Sequence, residues 1–311
     1  MNELLKLVKA MIKKMLLVSY LLLSWLKIIK PKVIVMVDGG ICSQMHQYLL
    51  GCIFREKGYI VSYDLTWFKK WSKDMNGHYD RKFDLLKAFP TVKFNRAGKL
   101  ERIIYQAYFD TRDYSQNLIS DEDLFDIKPP RYLGGYYHTP KELWTTLFPK
   151  YFKVNTDMLD DENRKIYNEI ERNSDSVAVH VRRGDLSVYS PVYGEPASMQ
   201  YFHNAIQYMY KSVKNPVFYI FSDEPEYIKN EFVNKLPILN NNFKIMGING
   251  SDKGYMDLFL ISKCSHKITS KGSLAKIGAL LGDSVKNIVV FVNDPKEYVW
   301  KENFVSQTVF L

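Results

Sequence analysis

Cysteine is scarce in this chain of 311 residues, limited to Cys42, Cys52 and Cys264. An odd count without framework spacing excludes a small disulfide-stapled secreted domain, and Cys42 and Cys52 do not stand at a metal-binding spacing. A reducing compartment and packing roles for all three are the expectation. The uncharged run Met15 to Leu26 is shorter than the roughly 20 residues that a spanning helix needs. No zinc-finger spacing, RNA-recognition signature or long Lys/Arg run is present, so the formal net charge of +9 does not point to nucleic acid. It points instead to phosphorylated substrates or acidic lipid. No Asp-x-Asp pair stands at a predicted strand end, and there is no internal repeat, low-complexity segment or flexible linker. With 46% hydrophobic and 14% aromatic residues, the chain is not disordered and can fill two cores. Its 22 tyrosines suit cores and interfaces, and also sugar binding.

The first 30 residues differ from the rest. Leu4, Leu5, Val8, Met11, Ile12, Met15 and Leu16 recur at helical spacing, with Lys6, Lys9 and Lys13 on another face. This is the pattern of a basic amphipathic helix that lies on an anionic membrane. Three readings stay open: a peripheral anchor on the cytoplasmic face of a membrane, a signal-anchor, and a helix packed on the protein's own surface. Basic residues precede an apolar core, as in a signal peptide, but no clear small-x-small cleavage site follows.

Beyond Pro31, Val33 to Val37 reads as a buried parallel strand. Asp38-Gly39-Gly40 breaks it, and a helix is predicted from about Ser43, a plausible N-cap, to Lys57. A second strand follows from Tyr59 to Leu65. Residues 66–150 read less clearly, with short helical stretches near Phe83–Phe89 and Lys141–Phe148, and a strand and turn at Gly134-Gly135-Tyr136-Tyr137. A helix over 158–173 leads into a second βα series. Its strands are predicted at the run that starts with Ser176–Val179 and bears His180, and at Pro216–Phe221, Ile245-Met246, Lys267–Thr269 and Asn287–Val292, with helices at Met199–Val213, Tyr255–Lys263 and up to Leu281. The expected organisation is an N-terminal segment 1–30, a Rossmann-like domain over 31–170, and a second over 171–311.

The most informative stretch is His180-Val181-Arg182-Arg183-Gly184-Asp185-Leu186-Ser187, delivered by the apolar run Ser176-Val177-Ala178-Val179. Open α/β sheets bind ligands beyond the carboxyl ends of their strands. Two guanidiniums there suit a pyrophosphate, which they grip with paired planar hydrogen bonds. A sugar-nucleotide enzyme must hold a departing nucleoside diphosphate in this way. A basic surface turn is the plainer reading of the same residues.

Several segments together resemble glycosyltransferase family 11, the bacterial α-1,2-fucosyltransferases, over roughly residues 33–300. Gly39-Gly40-Ile41-Cys42-Ser43-Gln44-Met45-His46-Gln47-Tyr48 matches the family's Gly-Gly-Leu-Gly-Asn-Gln-Met-Phe-Gln-Tyr motif. The His-x-Arg-Arg-x-Asp signature is intact at His180, Arg182, Arg183 and Asp185. Phe221-Ser222-Asp223-Glu224 is similar to Phe-Ser-Asp-Asp, and Asp257-Leu258-Phe259-Leu260-Ile261-Ser262 to Asp-Met-x-Leu-Met-Ser. Gly272-Ser273-Leu274-Ala275-Lys276-Ile277-Gly278-Ala279 stands for Ser-Ser-Phe-Ser-Trp-Trp-Gly-Ala. The departures are Cys42 and Ser43 for Gly-Asn, Lys276 and Ile277 for the tryptophan pair, and Lys271 for an asparagine.

The resemblance implies a GT-B-like α/β architecture, two Rossmann-like domains facing across a cleft, the first on the acceptor side and the second on the donor side. It implies inverting, metal-independent transfer of fucose from GDP-fucose, a co-substrate, to the 2-hydroxyl of a galactose-ended, lipid-linked glycan in O-antigen or capsule synthesis. Arg182 is the expected pyrophosphate ligand, with Arg183 sharing that job or pairing with Asp185. His180 is a catalytic candidate or a hydrogen-bonded structural histidine, and Asp185 an arginine orienter. Asp257 is the candidate for the guanine base, or else a helix cap. Ser273 offers its hydroxyl and the following N–H groups to a phosphate, or serves as an ordinary N-cap. Asp223 borders the donor site. Gly39, Gly40 and Gln44 are expected to shape the cleft's other wall, with His46 a tempting base whose packing role is favoured. The altered motifs leave two rivals: a non-catalytic nucleotide- or glycan-binding relative, or a transferase for another GDP-sugar. A membrane-surface scaffold that kept only the fold is a third, against which the intact arginine loop counts.

Overall fold

The β-branched runs fold as buried parallel strands. The structure, a computed structural model, describes residues 2–73, 80–112, 121–135, 141–184, 186, 195–250 and 252–311. It divides into two compact units. One comprises Met1–Gly39, Ser43–Ser72 and Thr91–Phe148, and the other Gly40–Cys42, Lys73–Pro90 and Pro149–Leu311.

The first unit is built on β1 (Lys32–Met36), β2 (Ile60–Asp64) and β3 (Arg131–Leu133), parallel and in the order β2-β1-β3. Its longer helices are α1 (Asn2–Trp25), α2 (Ile41–Glu56) and α3 (Lys99–Tyr108). Val33, Ile34 and Val35 are fully buried. Asp64 ends β2 without exposure, a costly place for a carboxylate unless it is bonded. It is bonded thoroughly: Arg102, Gln106, Tyr132 and the Thr66 N–H and hydroxyl all donate to it. Those bonds outweigh burial and hold its pKa below the usual carboxylate value.

The second unit carries six parallel strands: β4 (Ser176–Val181), β5 (Val217–Ser222), β6 (Phe243–Met246), β7 (His266–Ile268), β8 (Ile288–Phe291) and β9 (Gln307–Phe310). Their order is β6-β5-β4-β7-β8-β9, the doubly wound Rossmann order. All six residues of β4 are buried, as its central position requires. Its longer α-helices are α4 (Asp161–Glu171), α5 (Met199–Ser212), α6 (Gly254–Lys263) and α7 (Leu274–Leu281). Helices α6 and α7 touch where Gly278 has no side chain; a Cβ there would lie 2.7 Å from Ile261 Cγ2. The fold is thus α/β and GT-B-like in its elements, two Rossmann-like units of parallel strands.

Several details differ from the sequence reading. The units part between Phe148 and Pro149, not near residue 170, because α4 packs on α6 of the second sheet. Residues 73–90 and 40–42 also go with the second unit. Helix α2 starts at Ile41, so Ser43 lies inside its first turn and not at the cap. Strand β9 and helix α3 were not foreseen. Tyr136 and Tyr137 lie outside the described residues. The N-terminal segment is no separate body, since Tyr20, Leu16 and Leu17 pack into a cluster with Ile34, Ile104 and Tyr105. The three cysteines are free and buried, as expected.

Candidate active site

The reversal of strand order puts the switch point between β4 and β7, where two strands send their following loops to opposite sides. The loop after β4 carries Arg182 and Arg183. The loop after β7 carries Ser270, Lys271, Gly272 and Ser273. One hydroxyl ties them together. Ser270 Oγ lies 3.0 Å from His180 Nδ1 and accepts from the Arg182 backbone N–H at 3.2 Å. Gly272 adopts φ +101°, and its missing side chain leaves Arg182 Cγ 3.7 Å from where a Cβ would stand.

Arg182 reaches the carboxyl end of β5, where its Nη1 lies 2.9 Å from Asp223 Oδ2. The other oxygen of Asp223 accepts from the Arg183 N–H at 3.1 Å. Asp223 therefore holds both arginines, one by side chain and one by backbone. Arg183 turns elsewhere: its Nε donates to Glu224 at 3.0 Å and its guanidinium lies 3.7 Å from the Tyr227 ring centroid. Of the two, Arg182 is the one set at the switch point. Glu224 supplies the pairing that had been considered for Asp185, which lies outside the described residues.

His180 is 3% exposed, and burial above all pushes its pKa down to about 3, with Arg182 and Lys276 adding to the effect. A neutral, enclosed ring bonded to Ser270 holds the loop in place, which is the structural one of its two readings. Ser273 opens α7, yet its side chain makes no capping bond to the helix. Its hydroxyl instead hydrogen-bonds the Cys42 thiol, so the ordinary N-cap reading does not hold. Cys42 lies in the first turn of α2, which here belongs to the second unit, and burial pushes its thiol up to about 12. Arg81 and Arg182 both act electrostatically on that thiol, and Arg81 Nη1 lies 3.7 Å from the Cβ position of Gly40. Arg81 had not been singled out, and a single arginine in an unperiodic stretch gives little signal.

Asp257 sits in the first turn of α6. Its residue keeps partial exposure, but its carboxyl is enclosed, and burial raises its pKa to about 7. Asn249 Nδ2 donates to it at 2.7 Å and partly offsets that rise. Asn249 also exchanges amide bonds with Asn163 on α4. Asn163 and Asn249 were missed, because side-chain bonds across 86 residues leave no periodic trace.

Lys276 and Lys271 occupy departures from the family motif. Lys276 is 5% exposed, ion-paired with Glu297, and 5.6 Å from the Trp300 ring centroid. Lys271 Nζ lies 3.6 Å from Asp294 Oδ2. Each added lysine therefore meets an acid from the segment after β8.

In the first unit Gly39 adopts φ +68°, a conformation that favours glycine, and Gln44 Nε2 donates to its carbonyl at 3.0 Å. Gln47 grips Asp38 in both directions, accepting from its N–H and donating to its carboxylate. His46 stacks on Trp144 with centroids 6.0 Å apart, and burial lowers its pKa to about 4. That is the packing role. Among the described residues no group of three or more His, Cys, Asp or Glu could hold a metal ion.

Residues 91–306 match the family model of glycosyltransferase family 11. The chain belongs to glycosyltransferase family 11. This glycosyltransferase is 27% identical over 143 residues to the O-antigen biosynthesis glycosyltransferase WbnK of Escherichia coli, a match covering 45% of this chain and 46% of that one. The chain thus spans about half the length of that relative. It is 23% identical over 269 residues to an alpha-1,2-colitosyltransferase of Escherichia coli, covering 80% and 87% of the two chains. Among solved structures, E. coli ADP-heptose LPS heptosyltransferase II aligns with TM-score 0.44 and 12% identity, covering 89% of this chain and 90% of that one. POFUT1 in complex with GDP aligns with TM-score 0.42 and 12% identity, covering 84% and 98%.

Proposed function

We propose that this family 11 glycosyltransferase is an inverting, metal-independent enzyme. In this reading it moves a 6-deoxy sugar from a GDP donor to the 2-hydroxyl of a galactose-ended glycan in O-antigen synthesis. One observation carries the reading: the switch point of a Rossmann-ordered sheet holds Arg182, braced by Asp223, against a loop fixed by Ser270. The acceptor oxygen attacks the anomeric carbon from the face opposite the phosphate. The bond from that carbon to the phosphate oxygen breaks, and its electron pair leaves with GDP. Arg182 neutralises the charge that develops there, preorganised and half-buried, where such stabilisation counts most. The hydroxyl proton passes to a general base as the new bond forms. Asp257 accepts from the guanine N–H groups, as an ionised carboxylate can.

Fucose is the first donor to test. A second reading, transfer of colitose, has its own support in the relative named a colitosyltransferase. The deciding experiment is GDP release from GDP-fucose and GDP-colitose, with and without a β-galactoside and with EDTA present. Acceptor-stimulated release that survives EDTA and is lost in Arg182→Ala is the expected result. No release from any GDP-sugar would sink the proposal in favour of a binding-only relative.

A further inference from the structure

Helix α1 runs for 24 residues, roughly 36 Å at 1.5 Å per residue. It is held by one face near its end. Tyr20 is buried, shares a 2.7 Å hydrogen bond with Tyr105 of α3, and packs with Leu16 and Leu17 against the first sheet's cluster. Residues 3–15 are all exposed. At about 100° per residue, Leu4, Met11, Met15, Val18, Leu22 and Trp25 form the spine of an apolar stripe about 160° wide. These six are 53% to 77% exposed. The stripe runs the whole helix on the side opposite Tyr20, whereas Lys6, Lys9 and Lys13 share the side of Tyr20. The protein body and Lys6, Lys9 and Lys13 therefore lie on one side of α1; the other side is apolar apart from Ser19, with Lys14 at its border beside Trp25.

We propose that α1 is an in-plane membrane foot: it lies flat in the headgroup region of an anionic bilayer, with its apolar stripe down and the first unit above it. Among the described residues no helix is long and apolar enough to cross a membrane. The stripe suits partial burial along the helix axis instead. Trp25 ends the stripe at 77% exposure, an amphipathic ring of the kind that sits at headgroup level. Residues 1–30 hold six lysines, at 6, 9, 13, 14, 27 and 30, against the single acid Glu3. That excess attracts acidic headgroups. The stripe is also wider than the narrow seam through which two helices pair. The idea stands apart from the choice of sugar and rests on no part of the donor site. Its consequence is that the enzyme is held within reach of a lipid-linked acceptor.

The test uses the full chain and sucrose-loaded vesicles of phosphatidylcholine, with and without phosphatidylglycerol. Wild type is expected to sediment with the anionic vesicles. The double variant Met11→Glu/Met15→Glu should partition at least about ten-fold less, and Lys6→Glu/Lys9→Glu should lose the preference for phosphatidylglycerol. Wild-type fluorescence should be quenched by brominated lipid, and that quenching should vanish in Trp25→Phe, which checks the orientation without an altered stripe. Wild type left in the supernatant would overturn the proposal. So would self-association in the absence of lipid that Met11→Glu/Met15→Glu abolishes, since the stripe would then be a dimer seam. GDP binding measured on the same samples separates this result from any failure of the donor site.

Discussion

Asp257 makes the donor reading testable by pH alone. Burial raises its carboxyl to about 7, and Asn249 restrains the rise. To accept from guanine N–H groups the carboxylate must be ionised. With a pKa of about 7, about nine-tenths of free protein is ionised at about pH 8 and about one-tenth at about pH 6. Donor affinity should therefore fall about ten-fold between those values, or about 1.4 kcal/mol. The sign is fixed by linkage: binding releases the proton, so affinity rises with pH through the free-state pKa and levels off above it. GDP-fucose is the right probe for calorimetry, because its pyrophosphate diester does not titrate in this window. Asp257→Asn should bind weakly and without the slope, since its amide cannot gain the charge. A wild-type affinity that stays flat from about pH 6 to 8, or a slope that persists in Asp257→Asn, would refute the reasoning.

Three further outcomes follow from the same geometry. Ser270→Ala removes the partner of both His180 and the Arg182 N–H; a loss of about 1–3 kcal/mol in urea unfolding is expected, together with weaker GDP binding. Lys276→Met leaves Glu297 buried without its cation and should cost about 3–5 kcal/mol, which the double variant Lys276→Met/Glu297→Leu largely recovers. Tyr20→Phe breaks the bond to Tyr105 and should cost about 1 kcal/mol in thermal unfolding while leaving the affinity for GDP-fucose unchanged.

The second sheet was legible because each buried parallel strand is a short run of apolar residues, Val177-Ala178-Val179 and Phe218-Tyr219-Ile220 among them. Strand β9 escaped because Gln307-Thr308-Val309-Phe310 sits at a sheet edge and is only partly buried. Helix α3 carries a local signal at its start, where Glu101 reaches back to accept from the Gly98 N–H at 3.0 Å. The assignment of residues 73–90 to the second unit left no mark, since no change of composition accompanies it. Within the site, Arg182 and Asp257 came from motif order. So did Asp223, the partner of Arg182; Asn249 and Ser270 did not, because Ser270 meets His180 across 90 residues and no local pattern records such a bond.

The departures from the family motif sort by where the structure puts them. Lys276 lies in α7, and its ammonium meets both Glu297 and the face of the Trp300 ring. A buried lysine is costly alone, and here the acid and the indole offset its charge. That is a change of packing, and it leaves Arg182 and Ser270 in place. Cys42 is different. Its thiol occupies a position where the motif has glycine, and it bonds Ser273 beside Arg182 and Arg81. A side chain now fills space beside the loop after β7 that a hydrogen atom would leave open. Between the two departures, Cys42 is the one placed to change which donor fits, and Cys42→Gly is the substitution through which GDP-fucose and GDP-colitose would be compared.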